Sequence, residues 1–202
     1  MNKRKCCIAL GFLAAFLLWT LAVKWIDVQA IGPEGSAVGF ATLNGFVHNS
    51  IGVHMNLYIL TDWLSLVPLG LVAGFGIQGL AQWIQRKSLR RLDRDLLILG
   101  CFYALVMAAF LLFEVVVINY RPVLIEGVLE ASYPSSTTML CMCILPTAAM
   151  RLRNCKWVAA ALMAFTIFMV AARLISGVHW LTDIIGGALL SAGLVMLYDS
   201  LT

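Results

Sequence analysis

Six long apolar runs recur along the chain, at about residues 8–26, 57–85, 96–118, 135–150, 157–175 and 180–199. Most approach the ~20 residues that a helix needs to cross a bilayer. Basic residues fill alternate gaps between the runs. Lys3, Arg4 and Lys5 precede the first; Arg86, Lys87, Arg90, Arg91 and Arg94 separate the second from the third; Arg151, Arg153 and Lys156 separate the fourth from the fifth. Of the 14 Lys and Arg residues, only Lys24, Arg121 and Arg173 fall elsewhere. Hydrophobic residues make up 62% of the chain, against about 45–50% in a soluble domain. In hydrocarbon every backbone polar group must be satisfied internally, so runs of this length become helices. The pattern predicts an all-α polytopic membrane protein, a single domain over residues 1–202 with about six transmembrane helices. The fourth run is short and opens with Ser and Thr, so its helix is expected to start below the membrane surface. The positive-inside rule puts the basic loops and both termini in the cytoplasm.

The first run is too long for the core of a signal peptide, and Ala14-Ala15 falls in its middle, away from a cleavage position. It reads as an uncleaved first helix, compatible with a bacterial inner membrane. The six cysteines lie in predicted helices or on the basic side, where thiols stay reduced. Cys141 and Cys143 lack the spacing of a zinc pair. No metal-ligand cluster is visible, and no cofactor is implied. No basic patch is interleaved with exposed aromatics, which argues against nucleic acid as a partner. Between the first two runs, Val38, Phe40, Ala41, Leu43, Phe46 and Val47 recur at the spacing of a short amphipathic helix lying on the outer leaflet.

Against this apolar background three short polar pieces stand out: Asn119-Tyr120-Arg121-Pro122, Tyr133-Pro134-Ser135-Ser136-Thr137-Thr138, and the run from Arg173 through His179 to Asp183. The predicted topology brings all three to the outer face. Ionisable groups inside an apolar chain are costly and point to function. His179 and Asp183 are four apart, so on one helix they share a face and can hydrogen-bond. An oriented imidazole beside a guanidinium suits phosphoryl transfer through a histidine nucleophile. The Pro-Ser piece caps a helix whose first N–H groups and dipole favour an anion such as phosphate.

The order Arg-Pro, Pro-Ser-x-x, Arg-x5-His-x3-Asp resembles the type 2 phosphatidic acid phosphatase superfamily of integral membrane lipid phosphatases, over roughly Glu114 to Gly187. The resemblance implies a metal-independent phosphohistidine mechanism. His179 then resembles the nucleophile and Asp183 its orienting carboxylate. Arg121 and Arg173 resemble phosphate-binding arginines, and Ser135, Ser136 and Thr137 resemble the turn that cradles the phosphate. The implied partners are a lipid phosphate or diphosphate substrate and the membrane lipids around it.

The chain departs from that pattern in three places. Glu114 stands where the first motif has lysine, Thr137 where the second has a histidine acid, and Ala172 where the third has serine. Unit charges about 4 Å apart interact by roughly 4 kcal/mol at an effective dielectric of 20. An ionised Glu114 therefore cannot touch phosphate. It either pairs with Arg121 or Arg173, or acts, protonated, as a replacement acid. Glu130, Tyr133 and His54 are the other acid candidates. Threonine is a poor acid and an alkoxide a poor leaving group, whereas phosphate leaves readily. These features predict an outward-facing lipid phosphatase acting on a polyprenyl diphosphate, or on a phosphatidic acid or phosphatidylglycerol phosphate type of monoester. The alternative is a catalytically weakened relative that binds or helps to transport lipid phosphates. A transporter is disfavoured, because broken mid-membrane helices are missing.

Overall fold

The computed structural model describes residues 2–88 and 91–202; Arg90, part of the second basic loop, lies outside them. Among the described residues eight α-helices follow in order: α1 (Lys3–Trp25), α2 (Ala41–Ile51), α3 (Met55–Leu64), α4 (Leu66–Arg86), α5 (Arg94–Val115), α6 (Ser136–Arg151), α7 (Lys156–Ile175) and α8 (Leu181–Leu201). Five segments are long and apolar enough to span a bilayer: α1, α3 and α4 taken together over Met55–Arg86, α5, α7 and α8. The second apolar run is thus two helices meeting at Ser65, whose N–H bonds back to Thr61 and Asp62. The fourth run, α6, is 16 residues long and starts late, as its polar opening predicts.

Burial sorts the helices. Over half of the apolar stretch of α8 faces protein (56%), against 22% or less in the other four spans. α8 is the central post, with α1 along one side and α6 along another, and α7 packed against α6. Phe16, Leu99, Phe102, Met139, Leu190 and Tyr198 form the main core. Leu18, Leu21, Ile77, Ile84, Trp157 and Ile167 point outward and are exposed, a surface suited to hydrocarbon. The chain ends meet: Asn2 N donates to Ser200 O (3.0 Å), and Lys5 pairs with Asp199 (2.8 Å).

Helix α2 is the amphipathic helix expected between the first two runs, and it is fastened to the bundle rather than merely lying beside it. Asn44 is fully buried, and its amide group donates to Thr182 Oγ1 (2.9 Å) and accepts from Thr182 N (3.3 Å) at the start of α8. A second close approach, at Gly186 of α8, positions the site. A Cβ there would lie 2.5 Å from the ring of Tyr133, which is buried and bonded through its hydroxyl to Thr20 (2.7 Å). Gly186→Ala is accordingly expected to displace Tyr133 and cost about 1–3 kcal/mol by overpacking. Thermal unfolding in detergent checks this, and an unchanged Tm contradicts it.

Candidate active site

Three segments converge at the start of α8, and their backbones are tied together before any side chain is considered. Ser132 N donates to Asn119 O (2.9 Å), Arg121 N to Glu130 O (3.0 Å) and Ser135 N to Asp183 O (3.1 Å). Trp180 Nε1 donates to Tyr120 O (2.8 Å). The loop after α5, the N-terminus of α6 and the turn between α7 and α8 are thus one unit. The turn is made possible by Gly177, which has φ +69° and would, with a Cβ, strike Gly52 O at 2.0 Å.

Asp183 is the anchor of this unit. It is fully buried, and its carboxylate accepts from four donors. Oδ2 takes Ser132 Oγ–H (2.5 Å) and Trp180 N–H (3.0 Å). Oδ1 takes Asn119 Nδ2–H (3.2 Å) and Thr182 Oγ1–H (3.4 Å). Four donors replace the water that burial strips from the charge.

His179 also is buried, but it does not bond to Asp183. Its Nδ1 faces Ser132 Oγ at 2.9 Å. The four-residue spacing misleads here because α8 begins only at Leu181. His179 belongs to the preceding turn, so the two side chains do not share a helical face. The other ring nitrogen, Nε2, is buried and has no hydrogen-bond partner among the described residues. Burial first, and then the charges of Arg121 and Arg173, hold the imidazole well below its ordinary pKa of about 6.5. The ring is therefore held neutral.

The two arginines sit on one aromatic ring. The guanidinium carbons of Arg173 and Arg121 lie 4.6 and 5.7 Å from the centroid of Tyr58, a residue of α3. Arg173 is 2% exposed, yet it has no ion pair among the described residues; Nη1 donates to Thr61 Oγ1 (3.0 Å), and Nε has no partner. Arg121 is 8% exposed, and its Nη1 has no partner among the described residues either. Buried guanidinium groups in this state favour an anion between them.

Arg121 does have a carboxylate beside it, but not the expected one. Glu130 Oε2 lies 3.0 Å from Arg121 Nε, because the bridge between Tyr120 and Ala131 sets the two residues side by side. Glu114 makes no ion pair with Arg121 or Arg173 among the described residues. It borders a groove with Arg121 and Glu130, and a small cavity with Ser132, Tyr133 and Ser136.

Ser135 caps α6, accepting from Thr138 N (3.4 Å). Ser136 and Thr137 form the first turn, where N–H groups have no intrahelical acceptor. Both border a cavity of ≈ 300 Å³ between α4, α5 and α6 that is otherwise lined mostly by apolar residues such as Val106, Met107 and Leu140, with Asp62 as its one carboxylate. Of the remaining acid candidates, Tyr133 is locked against Gly186, and burial pushes its phenol well up. His54 bonds to Ile51 O (3.0 Å), a local contact at the start of α3.

Of the residues singled out in the sequence, the structure brings Arg121, Arg173, His179 and Asp183 together. Sequence reasoning misses Ser132, Tyr58 and Thr61 and assigns no role to Asn119. The available signal was slight: Asn119 and Ser132 are small polar residues next to the Arg-Pro and Pro-Ser pieces.

Comparison with known proteins gives two matches. Residues 120–199, which hold the site except for Asn119 and its α3 contribution, match the family model of the PAP2 superfamily. A crystal structure of a transmembrane PAP2-type phosphatidylglycerolphosphate phosphatase from Bacillus subtilis superimposes with a TM-score of 0.59 at 18% identity, covering 95% of this chain and 94% of that one. No curated protein matches the chain by sequence.

Proposed function

We propose, from the premise that this chain belongs to the PAP2 superfamily through residues 120–199, that it is a membrane lipid phosphatase working through a phosphohistidine. The observation that carries the reading is the set of buried, unpartnered atoms: His179 Nε2, Arg121 Nη1 and Arg173 Nε. A phosphate seated among them gains two guanidinium groups and meets the lone pair of a neutral imidazole. Nε2 attacks phosphorus in line, the leaving oxygen departs, and water then releases phosphate.

The cavities support a lipid as the leaving group. The one beside Ser136 and Thr137 shares Val72 and Tyr103 with a second, of ≈ 410 Å³, that continues between α4 and α5 to Leu92. From Ser65 to Gly79 the two follow α4 for about 21 Å at 1.5 Å per residue, enough for a long acyl or prenyl segment. The polar end of this trough is the α6 N-terminus, bordered by Ser136 and Thr137. The basic loops lie at the far end of the bundle, so the site faces outward and both termini face the cytoplasm.

Thr137 supports a diphosphate over a monoester, since its hydroxyl is a weak acid for a departing alkoxide. Phosphate release from a polyprenyl diphosphate, phosphatidic acid and phosphatidylglycerolphosphate tests this in detergent. The diphosphate is expected to turn over fastest, and Thr137→His to raise monoester turnover by about 10²-fold with little effect on the diphosphate. Faster wild-type turnover of either monoester contradicts the leaving-group argument. The Arg121–Glu130 pair favours a second reading, a binder of lipid phosphates, in which no lipid is turned over at all.

A further inference from the structure

The groups nearest His179 Nδ1 and Asp183 Oδ2 are not each other. Ser132 Oγ lies between them, 2.9 Å from the first and 2.5 Å from the second. We propose that Ser132 is a positioning residue, a hydroxyl relay through which Asp183 orients His179 and fixes its tautomer. The proposal rests on the phosphohistidine reading above for its kinetic consequence, but its geometry stands independently of any substrate.

Hydrogen counting sets the direction of the relay. A serine hydroxyl has one proton to give and lone pairs to receive, while an ionised carboxylate only accepts. At 2.5 Å from Asp183 Oδ2, the serine proton must point at the carboxylate, since two sets of lone pairs at that distance repel. Oγ is then left as an acceptor toward the imidazole, so Nδ1 carries the ring proton and Nε2 the free lone pair. Burial protects the arrangement from competing water: Ser132, His179 and Asp183 are 3%, 4% and 0% exposed. Asp183 cannot swing over to take the imidazole itself, because Trp180 N, Asn119 Nδ2 and Thr182 Oγ1 hold its remaining lone pairs. Ser132 is held in turn by its backbone bond to Asn119 O (2.9 Å).

The relay moves no proton during transfer. The Nε2 lone pair forms the N–P bond as the P–O bond to the leaving group breaks, and that electron pair departs with the oxygen. The positive charge left on the ring is balanced by Asp183 through Nδ1–H to Oγ and Oγ–H to Oδ2. Water then bonds to phosphorus, the N–P electron pair returns to Nε2, and the proton of the water leaves with the released phosphate or to solvent.

Two measurements test the relay. In kinetics on a lipid that the wild type hydrolyses, Ser132→Ala is expected to lower kcat by about 10–100-fold, the usual scale for an outer orienting partner. KM should stay within about threefold, and Ser132→Thr, which keeps the hydroxyl, should recover most of the loss. A wild-type kcat in Ser132→Ala, or a loss confined to KM, overturns the proposal. The second measurement needs no substrate and no orienting variant. The chain has three histidines, so nitrogen-15 histidine spectra in detergent are simple, and His179→Ala assigns the site ring. The expected ring carries its proton on Nδ1, with Nε2 bare; the opposite tautomer overturns the relay whatever the variants do. If no lipid is hydrolysed by the wild type, the phosphatase reading fails, and the tautomer still decides the relay.

Discussion

His179→Ala is expected to reduce phosphate release from any lipid that the wild type hydrolyses by on the order of 10⁴–10⁶-fold in kcat, the scale on which covalent nucleophiles fail when deleted. The size follows from the absence of a substitute. His54 bonds within its own turn and His48 packs on the ring of Trp180, whereas the charges of both arginines fall on His179. Lipid phosphate binding should survive, because Arg121 and Arg173 are held by Tyr58 and Thr61, not by the imidazole. The expected result is a loss of turnover with KM or Kd within a few-fold. Phosphate release in detergent and a separate binding measurement with the same lipid read both quantities. Equal release by the variant and the wild type removes His179 from the mechanism.

Asp183→Ala is expected to fail differently, losing fold as well as activity. The carboxylate accepts from the loop after α5, the segment before α6 and the turn before α8, through Asn119, Ser132 and Trp180. Its removal leaves buried donors without acceptors, each costing about 1–3 kcal/mol. These donors share one acceptor group, so the costs do not add simply, and a total of about 3–5 kcal/mol is expected. At roughly 2–4 °C per kcal/mol for a chain of this size, Tm should fall by about 6–20 °C. His179→Ala, which removes a ring with one hydrogen bond, should move Tm far less. The contrast separates anchor from nucleophile: both variants lose turnover, and only Asp183→Ala melts early. An Asp183→Ala protein with wild-type Tm would mean that the three segments are held together by something else.

Much of the architecture was legible in the sequence because the bilayer simplifies it. A helix in hydrocarbon must be long and apolar, and the basic loops mark its ends, so the six runs translate almost directly into α1, α3 with α4, α5, α6, α7 and α8. What the runs do not carry is the break at Ser65, where the chain continues helical on both sides and hydropathy does not change. The fastening of α2 is invisible for another reason. It depends on one buried asparagine, Asn44, reaching Thr182 across 138 positions.

The site divides in the same way. Arg121, Arg173, His179 and Asp183 were visible because charge in an apolar chain is conspicuous. Their spatial relations were not. Spacing suggested a direct bond between His179 and Asp183, and the helix start at Leu181 prevents it. Ser132, which fills the gap, is 47 residues away from His179, and a serine in a membrane protein draws no notice. Tyr58 and Thr61, which seat the arginines, lie on α3, where an aromatic and a hydroxyl residue read as ordinary membrane-helix content. Pairing with an arginine was one of two expectations for Glu114, but the strand-like bridge after α5 gives Arg121 to Glu130 instead.

The most direct test of the central claim is the isolation of the phosphoenzyme. Purified protein is mixed with a lipid phosphate labelled on the transferable phosphorus and quenched in alkali, in which a phosphohistidine persists and an acyl phosphate does not. Acid-labile label is expected on the peptide containing His179, formed within the first turnover and absent from His179→Ala. Sustained release of phosphate with no label at any quench time, or label on a different residue, would contradict that claim.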